Sequence, residues 1–227
     1  MTLLAVFAII QSLTDTFDQM TLEHSFRYTC KDWAAMLNGV NTIKALVANI
    51  QQCAIASVPP IFNDNTRAEL ANKYTGDAFE VFCEYFIKSH GASSEVGITD
   101  YRPLKRLGCT DKDTGADGLG IGTNLKPAAV QIKFKSNPTQ VLTANEDHLT
   151  NLTTAAWGRY GVDVNDTQNL LVITTGKELA TFTRDEMLQG KVRCLGYKEL
   201  CKMMDNNLAF WEGLRMADAP IDPAVYI

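Results

Sequence analysis

One run of apolar residues limits the folds open to this chain. Residues 170–174 read Leu-Leu-Val-Ile-Thr, without the alternation of apolar and polar side chains that a one-sided strand shows. Such a run is typical of a central strand that is buried on both faces. A sheet that contains it needs helices on each side, and 227 residues are enough to supply them.

The surrounding segments predict an α/β fold with one mixed sheet. Residues 128–134 alternate, so that Val130 and Ile132 share the buried face while Gln131 and Lys133 share the other. The further predicted elements, in chain order, are a helix over 67–89, a strand with a turn in 97–107, a tight turn in 108–122, a helix over 141–157, a strand over 192–195 and helices over 197–204 and 208–216.

The helix predicted over 67–89 carries one apolar stripe, and its acidic residues stand at different angles to that stripe. The stripe consists of Phe79, Phe82, Cys83, Phe86 and Ile87. At about 100° per residue, Glu80 falls at the stripe edge, whereas Asp77 and Glu84 point well away from it. Glu80 is therefore expected to reach over the rim of the sheet, and the other two are not.

Residues 1–60 are predicted to form an N-terminal helical region, and residues 61–227 a second unit. Pro59-Pro60 and the following Asn63-Asp64-Asn65 mark the boundary. The apolar stretch over 3–13 is too short to span a bilayer and lacks the flanks of a signal peptide, which favours an amphipathic helix and no membrane contact. The six cysteines include no CxxC pair, which indicates reduced thiols in a cytoplasmic protein.

The net charge of −5 excludes a general nucleic-acid coat protein, which would be basic. One local segment, residues 101–135, is nevertheless basic, with seven Lys and Arg residues against three Asp residues. Any DNA contact must use such a local patch, although a solvated hairpin explains the same charges. The candidate DNA-contacting residues are Arg102, Lys105, Arg106, Lys126, Lys135 and Gln140.

The most informative constellation is Asp117 followed by Gln131-Ile132-Lys133, with Glu80 upstream. Asp117 lies at a turn next to one strand, and a hairpin would bring it to Gln131 and Lys133 on the next strand. Carboxylate and amide oxygens are ligands for a hard divalent cation, and a nearby ammonium balances the charge of a phosphodiester transition state. These residue types suit metal-assisted phosphodiester cleavage, whereas an ordinary strand with an outward Gln and Lys is the alternative.

This pattern resembles the active-site signature of the PD-(D/E)XK nuclease superfamily, in the Gln-x-Lys variant of Mrr-like restriction enzymes and phage homing endonucleases. Gly76-x-x-x-Glu80 resembles the first helix of that family, and the match covers about residues 70–205. The resemblance implies a restriction-endonuclease-like αβββαβ core in residues 61–227, DNA as substrate, and Mg²⁺ that Mn²⁺ can replace. It also implies that Lys133 is the catalytic lysine, with metal ligands Asp117, Gln131, Glu80 and the carbonyl of Ile132.

The expected function is therefore a Mg²⁺-dependent DNA endonuclease of restriction, homing or repair type in a bacterial or phage-infected cell. The alternative is a weak or inactive nuclease-fold module that binds DNA or a protein partner, because neutral Gln131 stands where the family usually has Asp or Glu. Cutting both strands favours a homodimer. The chain contains no phosphate-binding loop of the G-x-x-x-x-G-K-[ST] type, so a helicase or motor would be a separate protein.

Two weaker patterns lie in the same stretch. Residues 111–122 resemble the opening of a calcium loop, but Gly122 stands where the closing Glu is required. Gly118-x-Gly120-x-Gly122 is more typical of a flexible turn than of a dinucleotide site. Thr143 is expected to cap the helix over 141–157.

Overall fold

The computed structural model describes residues 36–104, 115–145 and 147–216. The predicted helix over 3–13, most of the turn before residue 115, and the candidates Lys105 and Arg106 lie outside these ranges. Within them, no helix is both long and apolar enough to cross a membrane. No cysteine in the described ranges forms a disulfide, which agrees with the predicted reduced thiols for that part of the chain.

A five-stranded mixed sheet forms the centre of the protein, as the sequence predicts. Its strands are β1 (Ile98–Pro103), β2 (Gly118–Gly122), β3 (Pro127–Lys133), β4 (Leu170–Thr174) and β5 (Arg193–Leu195), in that spatial order. The first three form an antiparallel meander, and β4 and β5 then continue parallel to β3. The carboxyl ends of β3, β4 and β5 consequently lie at one edge of the sheet.

Five α-helices accompany the sheet in the described residues: α1 (Ile43–Ser57), α2 (Asp64–His90), α3 (Leu149–Tyr160), α4 (Tyr197–Met204) and α5 (Leu208–Met216). Side chains fix where the first two begin. The Thr66 amide donates to Asn63 Oδ1 ahead of α2, and the Ala45 amide donates to Thr42 Oγ1 ahead of α1. A π-helical turn at Thr183–Met187, which the sequence did not predict, lies between β4 and β5.

The two faces of the sheet belong to two hydrophobic clusters. Val130 and Ile132 of β3 pack with α1, α2 and α5, whereas Ala129 packs with α3. Because side chains alternate along a strand, Gln131 and Lys133 lie on the α3 face. Gln131 and Lys133 therefore share one face, as predicted, and it is the face that points away from α2. Every residue of β4 is buried, as predicted.

The acidic residues Asp77 and Glu84 were expected on the outer face of α2, and both are buried. The reason is that α1 and α5 cover the sides of α2 that do not face the sheet. Glu84 forms an ion pair with Lys88 one turn later, at 2.6 Å between Oε1 and Nζ. The single apolar stripe in the sequence predicts a helix that is buried on one side only, whereas α2 is enclosed on several sides.

The helix predicted over 141–157 begins only at Leu149, and Thr143 is not its cap. Residues before it form other contacts, since Leu142 makes a parallel bridge with Leu179 and the Thr143 amide donates to Asp147 Oδ2. The N-cap is His148, in the left-handed region at φ 53°, and its side chain makes no capping hydrogen bond.

The glycines at 118, 120 and 122 form strand β2, which corrects the prediction of a flexible turn. A Cβ at Gly118 would collide with the Tyr101 ring, and one at Gly120 would lie 2.6 Å from Ile98 Cγ2. Glycine is therefore needed because β1 side chains lie across this face of β2. We refer to Gly118 and Gly120 as the bare face of β2.

Replacing Phe82 by Ala should lower the free energy of unfolding by about 3–5 kcal/mol, because its fully buried ring contacts Phe79, Phe86, Phe210 and Trp211. The control is Phe182→Ala, which removes a ring that is 68% exposed and should change that energy by less than about 0.5 kcal/mol. Urea unfolding measures both, and equal losses in the two variants would contradict this account of the core.

Candidate active site at the divergence of β2 and β3

The candidate site lies where β2 separates from β3. Gly118 is the first β2 residue paired with β3, opposite Val130, and the Asp117 amide still donates to the Val130 carbonyl at 2.8 Å. Beyond that point the Asp117 side chain replaces a strand partner. Its Oδ2 accepts a hydrogen bond of 2.6 Å from the Ile132 amide. The hairpin therefore brings Asp117 to the Gln131-Ile132-Lys133 segment, as expected.

The carbonyl of Ile132 points into the same gap. In a strand, the N–H and C=O of one residue lie on the same side. The Ile132 N–H points toward Asp117, so its carbonyl also points toward the side that β2 has left. The backbone carbonyl of the next residue, Lys133, points the other way, toward β4, where it accepts a hydrogen bond from the Thr175 amide.

Gln131 presents a buried amide oxygen without a hydrogen bond. The side chain is 3% exposed, and its Oε1 has no hydrogen-bond partner among the described residues. A buried acceptor left in this way costs about 1–3 kcal/mol. An oxygen of this kind is suited to a cation or a bound water, which would offset that cost.

Lys133 lies beside Gln131 on the α3 face of the sheet. It is half-buried and pairs with Thr174 of β4, two residues beyond the pairing of Gln131 with Val172. Among the described residues its ammonium forms no ion pair. It is therefore available to an anionic group at the carboxyl edge of the sheet.

Glu80, which belongs to α2, acts electrostatically on the same buried groups as Asp117. Burial raises the pKa of the Cys83 thiol well above its usual value, and the charges of Glu80 and Asp117 raise it further. The pKa of Tyr101 is raised by burial first and then by Asp117 and Glu80. The two carboxylates thus act on the same pair of buried groups, although Glu80 and Gln131 belong to opposite faces of the sheet.

The candidate DNA contacts are distributed unevenly. Arg102 and Gln140 are exposed near this end of the sheet, where Arg102 pairs with Leu119 and the Gln140 carbonyl accepts from the Lys177 amide. Lys126 precedes β3 at its opposite end and pairs there with Asp163 at 3.4 Å. The structure therefore does not bring Lys126 to the site.

Lys135 is held by a carboxylate that the sequence reasoning missed. Its Nζ lies 2.6 Å from Asp147 Oδ1, and the two side chains are 16% and 4% exposed. Thr175 fixes the Lys135 backbone, since its Oγ1 accepts from the Lys135 amide and donates to the Lys135 carbonyl. The expected phosphate contact by Lys135 competes with this ion pair. In the sequence, only the polar residues Thr174 and Thr175 at the end of the apolar run indicated that the Lys135 backbone would be held here.

The oxygen donors at the site are of the type that binds a hard divalent cation. As a set, these donors carry little negative charge. In the described part of the chain, no three His, Cys, Asp or Glu side chains come together as a metal site. The candidate donors in this stretch are the Asp117 carboxylate, which accepts from the Ile132 amide, the orphaned Gln131 Oε1 and the Ile132 carbonyl. Oxygen ligands of this kind suit Mg²⁺, which retains several waters and needs few protein ligands.

Comparison of the chain with models of protein families, with curated proteins and with solved structures finds no match in any of the three.

Replacing Asp147 by Ala should lower the free energy of unfolding by about 3–5 kcal/mol, because the ammonium of Lys135 would stay largely buried without its partner. Asp163→Ala is the matched control, since it breaks a Lys–Asp pair whose side chains are 48% and 45% exposed. It should cost less than about 1 kcal/mol in urea unfolding. If both variants lose the same small amount, the ion pair does not hold the end of β3.

Proposed function

We propose that this chain is a Mg²⁺-dependent DNA endonuclease whose active site is formed by Asp117, Gln131 and Lys133, with Glu80 beside them. One observation carries the proposal. The Asp117 carboxylate lies against the Ile132 amide at 2.6 Å, and the preceding residue, Gln131, has a buried side-chain oxygen that lacks a hydrogen-bond partner among the described residues. The acid thereby lies against the strand that carries the Gln131 amide and the Lys133 ammonium, which supports a shared role for the three groups.

The order of elements also supports the proposal. Helix α2 precedes the antiparallel meander β1–β2–β3, and α3 then leads to β4, which runs parallel to β3. This is the αβββαβ order that the resemblance to PD-(D/E)XK nucleases implies. We therefore propose that residues 61–227 form a restriction-endonuclease-like domain, to which α1 adds a helical extension that shares the α2-side core.

The proposed roles follow from the chemistry of each group. Asp117, Gln131 and the Ile132 carbonyl would hold Mg²⁺, and Glu80 would hold a water beside it. The bound cation supplies Lewis-acid polarisation of the phosphate and lowers the pKa of a water. Lys133 would orient the attacking water and balance the negative charge that accumulates on the phosphate during in-line displacement. Arg102 and Gln140 would contact the DNA backbone on either side, as residues that position rather than read the sequence.

A second candidate function is a nuclease-fold module that binds DNA or a protein without cutting. The observation that favours it is the absence, in the described ranges, of three converging His, Cys, Asp or Glu side chains. Neutral Gln131 leaves one fewer charge for a cation. Retained DNA binding, with no cleavage of duplex, branched or single-stranded DNA in Mg²⁺ or Mn²⁺, would establish this second function instead.

Lys133→Ala should reduce Mg²⁺-dependent nicking of supercoiled plasmid by about 10²–10³-fold, because the transition state loses a charge partner in a partly buried site. Lys126→Ala removes the same charge from the far end of β3 and should leave nicking within about twofold of wild type, as expected for a surface lysine away from the site. The assay follows conversion of supercoiled to open-circular DNA. Equal activity of Lys133→Ala and wild type would exclude the proposed role.

Gln131→Glu should strengthen metal binding, because it places a second carboxylate oxygen opposite Asp117. Without metal the buried charge should destabilise the fold, so Mn²⁺ should raise the melting temperature of this variant more than that of wild type. Gln131→Met keeps the size of the side chain without the oxygen and should show the smallest Mn²⁺-induced rise. If Mn²⁺ shifts all three proteins equally in calorimetry, Gln131 is not a ligand.

A further inference from the structure

A cavity of about 380 Å³ opens beside β5 and the segment that follows β4. The segment after β4, the π-helical turn, β5 and the first turn of α4 contribute its walls. Its lining residues are Lys177, Glu178, Leu179, Arg184, Val192, Cys194, Lys198 and Glu199. The volume lies in the range of small-molecule sites, and none of these residues has a role in the proposed cleavage.

The cavity and the candidate active site share one face of the sheet. Gln131 of β3 pairs with Val172 of β4, and Val172 pairs with Cys194 of β5. Paired residues place their side chains on the same face, so Gln131, Val172 and Cys194 form one row across the strands. The lining residues Leu179, Val192 and Cys194 pack in the α3-side cluster, which is the face that carries Lys133.

The lining combines an apolar floor with a charged rim. Leu179 and Val192 are buried at the floor. Burial raises the pKa of the Cys194 thiol to about 12, so the thiol stays protonated and adds an apolar contact rather than a nucleophile. A flat apolar ring with an attached anion suits these surroundings, because the ring can lie on the floor while the anion meets the rim.

The rim contains three cationic side chains. Two of them form ion pairs near the surface, and the third forms none among the described residues. Lys177 pairs with Glu178 at 3.1 Å, and Arg184 pairs with Asp185 at 2.7 Å, both near the surface. Lys198 forms no ion pair among the described residues. The Gly196 amide at the start of α4 already donates a hydrogen bond to the Glu199 carboxylate. Because that amide is occupied, an anion in the cavity would depend on the side-chain cations. Exposed pairs of this kind are weak, so an anion would have to displace little stabilisation to contact these cations.

We propose that this cavity binds one nucleotide of the DNA strand whose cleavage is proposed above, and the assignment rests on that function. Two strand spacings of about 4.8 Å separate the β3 and β5 positions of the row, a distance of roughly 10 Å. The bound nucleotide would therefore lie in the same strand, close to the scissile phosphate. Its base would contact the floor, and its phosphate would contact Lys198 and Arg184.

The test measures binding of a fluorescein-labelled single-stranded 12-mer oligodeoxynucleotide in Ca²⁺, by anisotropy, without cleavage. The double variant Lys198→Ala/Arg184→Ala should bind about tenfold more weakly, and its slope of log K against log salt should fall by about 1.4 for two lost phosphate contacts. The control Lys202→Ala/Lys73→Ala removes two exposed positive charges elsewhere, one of them a turn along α4, and should stay within twofold.

A third variant, Cys194→Phe, fills the floor while leaving every cation in place. It should weaken binding about as much as the double variant, provided that its melting temperature shows a folded protein. Unchanged binding by Lys198→Ala/Arg184→Ala, or equal weakening by the control, would overturn the proposal.

The result separates this proposal from the nuclease assignment. If Lys133→Ala stops cleavage while the cavity variants bind like wild type, the nuclease function stands and the cavity proposal fails. If no form of the protein cleaves DNA but the cavity variants lose binding selectively, the DNA subsite stands and the nuclease function fails.

Discussion

The candidate site depends on one hydrogen bond, from the Ile132 amide to the Asp117 carboxylate. A strand that loses its neighbour leaves backbone donors and acceptors unsatisfied, and a buried amide in that position is unfavourable. Here the departing strand supplies a side chain in place of its backbone. The arrangement satisfies the amide and holds a negative charge against β3 between Gln131 and Lys133 in the chain. It also leaves the Ile132 carbonyl directed at the gap.

Much of this site could be inferred from local pattern. The period of two along β3 places Gln131 and Lys133 on one face whatever packs against them, and the β2–β3 hairpin brings Asp117 alongside. The uniform apolar run of β4 likewise identifies a strand buried on both faces. These properties depend on residues close in sequence, so a single sequence contains the information.

What sequence reasoning missed depends on distant contacts. Asp147 holds Lys135 because residues 140–142 lie along 177–180 instead of continuing into helix α3. Asp77 and Glu84 are buried because α1 and α5 enclose α2, an arrangement that no periodicity within α2 encodes. The position of the cavity follows from the same distant packing, since its walls come from four separate segments.

The bare face of β2 has a consequence for how the hairpin is aligned. A strand with glycine at alternate positions has few side chains to resist sliding, and a slip of two residues preserves which face each side chain occupies. Such a slip would displace the start of β2 by about 7 Å along β3. Only one alignment lets the Asp117 carboxylate reach the Ile132 amide, so this hydrogen bond also fixes the register of the hairpin. The charge proposed to hold a cation therefore also selects the strand alignment in which a cation can be held.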